Sequence, residues 1–172
     1  MEIEILSQDI IEQSMFFSSH LSREQADEIS NKYHNKQPDF FQILSDSIRV
    51  MKLKQIHYNE LNYMMIIALM SFDYYHVEIK KITLDEIGKY SEKWIKKHYD
   101  NNYSVEKRIE EMKKTMRQEV LVDFFHFRTK GNDNFKSLIP KDKYYLVMSH
   151  LCMLCEMLDN EVLKTLGEEN KI

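Results

Sequence analysis

Hydrophobic positions recur at helical spacing along almost the whole chain. Ser7 can cap a first helix carrying Ile10, Ile11 and Met15. Ser22 and Gln25 form an S-x-x-Q capping box ahead of Ala26, Ile29 and Tyr33, and Pro38 opens a third helix with Phe40, Phe41, Leu44, Ile48 and Met51 on one side. That helix is expected to reach about Lys54. Asn59 is the predicted cap of a fourth, in which Leu61, Met65, Ala68, Phe72, His76 and Ile79 keep the helical period. Its run from Tyr63 to Met70 is apolar on every side, the mark of a helix surrounded by neighbours.

Thr83 and Glu86 make a second capping box, followed by a stripe of Ile87, Tyr90, Trp94 and Ile95 that Asp100 to Asn102 should end. Ser104 caps a helix whose apolar positions stay in phase from Val105 through Ile109, Met112, Met116, Val120 and Phe124 to Phe127. Within it, residues 119–127 read EVLVDFFHF, which also suits a strand. A strand there would fold back at Gly131 onto residues 135–139. The last helix follows Pro140, and its stretch from Tyr144 to Leu158 is apolar almost all round.

The expected fold is therefore mainly α, one domain over residues 1–172 with six to seven helices and a possible small β-hairpin around residues 119–139. Composition strengthens the helical part, since 3 glycines and 2 prolines leave little material for turns and bulges. A length of 172 residues is enough for one ordinary core. Met1 is followed by Glu2 and Glu4 without a basic stretch, and no lipidation pattern or membrane-length apolar run occurs. A cytoplasmic location away from any membrane is expected.

Charge divides the chain. The net −4 splits into 6 basic against 12 acidic residues over 1–79, 16 against 11 over 80–143, and 2 against 5 over 144–172. A basic middle admits a nucleic-acid reading. In a winged helix-turn-helix, helices begin at Asn59, Thr83 and Ser104, and the recognition helix presents Lys107, Arg108, Lys113, Lys114 and Arg117. The hairpin is then the wing, with Arg128 and Lys130 near its tip. Glu106, Glu110 and Glu111 alternate with these cations, as on an ordinary solvated face.

Other chemistry is sparse. Asp73 with His76, and Asp123 with His126, are i, i+3 pairs that could meet as metal ligands between helices, although two such pairs are close to what chance supplies. Cys152 and Cys155 form a CxxC without the βαβ context of a redox motif or the further ligands of a zinc site, so buried free thiols are expected. No serine-elbow, phosphate-loop or dinucleotide motif is present, and no cofactor is expected. An enzyme or metal-binding bundle is thus the third reading, and the DNA-binding regulator the second.

The leading reading is a helical binding or regulatory protein that acts through protein contacts. Its basis is the last helix, where apolar side chains cover nearly the whole circumference and a single edge position in a bundle would cover only one stripe. A homodimer, or an equivalent protein complex, is expected to bury Tyr145, Met148, Cys152 and Cys155 against a partner.

Overall fold

The computed structural model describes residues 5–99, 103–131 and 138–169. Among them are eight α-helices and one 3-10 turn, and no strand: α1 (Gln8–Ser19), α2 (Arg23–Lys36), α3 (Pro38–Val50), α4 (Gln55–Phe72), the turn Asp73–Tyr75, α5 (Leu84–His98), α6 (Val105–Thr115), α7 (Glu119–Lys130) and α8 (Tyr144–Glu169).

The helix starts follow local chemistry. Ser22 Oγ accepts from Gln25 N at 3.2 Å while Gln25 Oε1 accepts from Ser22 N at 2.8 Å, and Thr83 and Glu86 repeat the exchange at 3.3 and 2.8 Å. Ser104 Oγ accepts from Lys107 N at 3.3 Å. Pro38 stands at the start of α3, where its missing N–H costs nothing.

Three boundaries differ from the expectation, one of them the end of α4 at Phe72, where a 3-10 turn and left-handed His76 leave His76 and Ile79 outside the helix. α3 stops at Val50, four residues short of Lys54, because Lys52 turns left-handed at φ 55° and Leu53 N then donates to Ile48 O at 2.9 Å. That is a Schellman closure with lysine where glycine is usual. α4 accordingly begins at Gln55, ahead of Asn59, with His57 Nδ1 accepting from Lys54 N at 2.8 Å. Asn59 is interior and accepts from Gln55 Nε2 at 3.3 Å.

The predicted Ser104 helix is split. At Met116 the backbone becomes extended (ψ 129°), and the chain restarts as α7 three residues later. Arg117 and Gln118 use the break to reach Asp159 on α8. Arg117 Nε donates to Oδ2 at 2.9 Å, its terminal nitrogen to Oδ1 at 2.6 Å, and Gln118 Nε2 to Oδ1 at 2.6 Å. Gln118 Oε1 also accepts from Leu6 N at 2.9 Å, which ties the start of the described chain to the same point. Each buried polar group there has a partner, as burial requires.

The β-hairpin is not formed. Residues 119–130 are helix α7, and the proposed return segment 135–139 lies mostly outside the described residues. The strand-favouring side chains of α7 take a helical face instead: Leu121, Val122, Phe125 and Thr129 are buried, against α8, α6, α1 and α4. Packing on helices outweighs the β propensity of isolated residues.

The two helices that are apolar all round run through the centre. α4 packs mainly on α1, α3 and α8, with α2 and α7 beside it, and α8 packs mainly on α7, α4 and α5, with Arg108 of α6 over its Tyr145 ring. At 26 residues, α8 is about 39 Å long. One hydrophobic cluster extends from Leu6 to Val162. None of the helices among the described residues is long and apolar enough to cross a membrane.

Candidate functional site

The four residues expected at a partner interface lie inside the chain's own core. Met148, Cys152 and Cys155 are fully buried and Tyr145 is 7% exposed. α4, α5 and α7 supply the cover that a second subunit was expected to bring. Burial, with the nearby Glu156 carboxylate, pushes the Cys152 thiol well up, and burial does the same to Cys155. Both are free, inert core thiols.

One side of α8 remains uncovered. Between α5 and α8 lies an open groove of about 350 Å³, bounded on one side by Trp94, Ile95 and Tyr99 and on the other by Leu146, Ser149 and Met153. Trp94 forms the floor, donating from Nε1 to Ser149 Oγ at 2.9 Å and packing its ring 4.0 Å from that of His98. Ile95 is 56% exposed and Tyr99 50%, and Leu146 is 38% exposed on the opposite wall. His150 contributes a ring at the rim, its Nδ1 bonded to Leu146 O at 2.7 Å within the helix. Tyr145 borders the groove from below and donates to His98 O at 3.3 Å.

Polar contacts lock the two walls together. Tyr90 OH donates to Glu156 Oε1 at 2.8 Å, Lys97 joins the same oxygen at 3.0 Å, and Asn160 Nδ2 donates to Tyr90 OH at 3.3 Å. Burial and the Glu156 hydrogen bond hold the Tyr90 phenol far above its ordinary range. His98 is buried with Nε2 lacking a hydrogen-bond partner among the described residues, so burial first, and Lys97 second, pull its imidazole down to about 4. It is neutral at physiological pH.

The cations proposed for nucleic acid are largely engaged within the protein. Arg117 is tied to Asp159 as described, and Arg128 donates from Nε to Glu60 Oε1 at 2.7 Å with its guanidinium 5.0 Å over the Tyr63 ring. Lys113 pairs with Asp123 at 2.8 Å and Lys114 with Glu111 at 2.9 Å. Arg108 lies 4.8 Å over Tyr99 and 5.2 Å over Tyr145, and Lys107 3.8 Å over Tyr103. Lys130, on the last turn of α7, faces His126, whose imidazole is lowered chiefly by burial and then by that charge. The sequence order of these cations hides that their helices point them at carboxylates and rings.

The two Asp-His pairs also serve local contacts. Asp73 accepts from Lys36 at 2.6 Å, Tyr33 OH at 2.7 Å and Lys32 at 3.4 Å, while Asp123 takes Lys113. Burial raises the Asp73 carboxyl, but its three donors outweigh that and leave it below the ordinary value. Among the described residues, no three His, Cys, Asp or Glu side chains gather as a metal site would require.

Ile95 and Tyr99 are groove residues that the sequence reading left out. Ile95 belongs by spacing to the apolar stripe of α5, yet it lies one residue and about 100° beyond Trp94. With Tyr99 at i+4, it widened the stripe past what one neighbouring helix covers, and that excess was the available signal. No family model matches the chain, and neither the curated proteins nor the solved structures compared with it show a significant match.

Proposed function

We propose that this chain is a helical binding or regulatory protein that works through protein contacts, with the α5–α8 groove as its contact face and a second copy of the chain as the occupant. The observation that carries this reading is the clustering of exposed Ile95, Tyr99 and Leu146 around a concave, mostly apolar surface. Such a cluster loses water-exposed apolar area when a partner covers it. Two-fold pairing of one surface with itself is the commonest way to do so. Compared with the sequence expectation, Tyr145 stays at the edge of the interface, and Ile95, Tyr99 and Leu146 replace Met148, Cys152 and Cys155.

Two surface substitutions test it. The parent chain should show a dimeric mass by light scattering at tens of micromolar, and Ile95→Asp together with Leu146→Asp should give a folded monomer. A parent that is monomeric across that range would overturn self-association, and a dimer that survives both aspartates would move the interface elsewhere. The DNA-binding reading draws no support from the geometry, since residues 119–130, the first arm of its wing, are helix, and Arg117 and Arg128 pair with Asp159 and Glu60.

A further inference from the structure

A separate groove of about 470 Å³ is bordered by α2, the end of α4 and the connection 77–81. Four lysines line it, Lys32, Lys36, Lys80 and Lys81, against two carboxylates, Asp73 and Glu78. Lys32 and Lys36 share Asp73, and Lys80 reaches Glu86 at 2.8 Å, whereas Lys81 has no ion pair among the described residues. The lining therefore keeps a positive surplus, and a concave surface of one sign concentrates the opposite charge.

The connection that forms one wall has unused main-chain groups. His76 turns left-handed at φ 53° and ends the 3-10 turn. From there to Lys80, exposed and half-buried side chains alternate, with Val77 and Ile79 packed on the core. This two-residue period belongs to extended chain. Among the described residues, the N–H groups of residues 77–81 make no hydrogen bond, and of their carbonyls only Lys80 O accepts one, from Gln37 Nε2 at 2.9 Å. Buried Gln37 also accepts from Ile82 N at 2.9 Å, so its side chain clamps the far end of the segment. A fixed run of unpaired donors and acceptors is the feature to which an added strand binds.

We propose that this groove docks an extended, acidic segment of a partner protein, which pairs its main chain with residues 77–81 and its carboxylates with the lysines. Main-chain pairing supplies affinity without regard to sequence, and the lysine surplus selects the charge. The clamp from Gln37 and the packing of Val77 and Ile79 hold the wall in place beforehand, which lowers the ordering cost of binding.

An acetylated octapeptide of alternating valine and glutamate serves as the probe, titrated into the full chain with amide shifts and hydrogen exchange as readouts. Shifts should centre on residues 77–81, and their exchange should slow. Lys81→Glu, which breaks no internal ion pair, should weaken binding about fivefold, the scale of one exposed charge contact. N-methylation of alternate peptide nitrogens should abolish binding to the parent chain, a result that does not depend on any variant folding. The proposal is overturned if the peptide leaves these amides unmoved at millimolar concentration, or if an octapeptide of alternating valine and lysine, or the N-methylated peptide, binds equally well. It is overturned too if inorganic phosphate alone reproduces the shifts, which marks a small-anion site. Protection that rises with protein concentration alone marks edge pairing between two copies and has the same consequence.

Discussion

Helices α4 and α8 share one sequence pattern and meet different fates at one edge. Both have an apolar run with no polar side, and both are central. The α4 run from Met64 to Leu69 is wholly buried, whereas α8 keeps Leu146 38% exposed beside α5. An all-round apolar pattern thus reports that a helix needs cover without reporting how much cover its own chain supplies. Two enclosed helices fit into 172 residues because they pack on each other and on α7, so each forms part of the other's cover.

The contrast breaks most sharply on the two faces of α8. Met148→Asp places an unpaired charge in a fully buried position and should cost about 5 kcal/mol or more, enough to unfold a typical domain. Leu146→Asp, on the groove side, should leave the urea midpoint of the monomer almost unchanged. If Met148→Asp stays folded and merely dissociates a dimer, the assignment of that face to the core is wrong.

A smaller loss is expected where α8 meets the α6–α7 break. Asp159→Ala leaves Arg117 and Gln118 without their buried acceptor and should cost about 3 kcal/mol in urea unfolding. It should also speed amide exchange at residues 116–118 more than in the rest of α6. An effect no larger than that of an exposed ion pair would mean that the break has another cause.

An effect of comparable size is expected on acidification. Folded His98 has its imidazole lowered from 6.5 to about 4, so below the unfolded value the unfolded chain takes up a proton that the folded chain refuses. The associated stability is complete above about 6.5 and is lost as pH falls toward 4. Acidification across that window should therefore destabilise the parent more steeply than His98→Gln, measured as the difference between their urea midpoints. Parallel pH profiles would show that His98 is solvated in the folded state.

Some of this was legible residue by residue. Ser22 with Gln25, Thr83 with Glu86, Ser104 and Pro38 begin helices through bonds or dihedrals spanning at most four residues, which is why their sequence signs held. The end of α3 comes earlier than its apolar spacing indicates because its closing turn uses Lys52 instead of glycine, and lysine carries no comparable sign.

For the candidate sites, residue type was readable and orientation was not. Arg117 and Arg128 looked like members of a basic surface, yet Asp159 and Glu60, more than forty residues away in the chain, draw them inward. Ile95 looked like one more core position until the spacing of α5 and α8 left it outside.

Sequence alone determined that the chain is helical and that the Tyr63 to Met70 run is central. Helix period and capping are local properties, so neighbouring residues settle them. Tertiary structure alone decided that the in-phase stretch from Val105 to Phe127 breaks at residues 116–118, that EVLVDFFHF is helix, and that α8 covers itself with its own chain save for one groove. Those outcomes depend on which surfaces meet across long separations, and there burial of apolar area and of paired charge outweighs the preferences of any single segment.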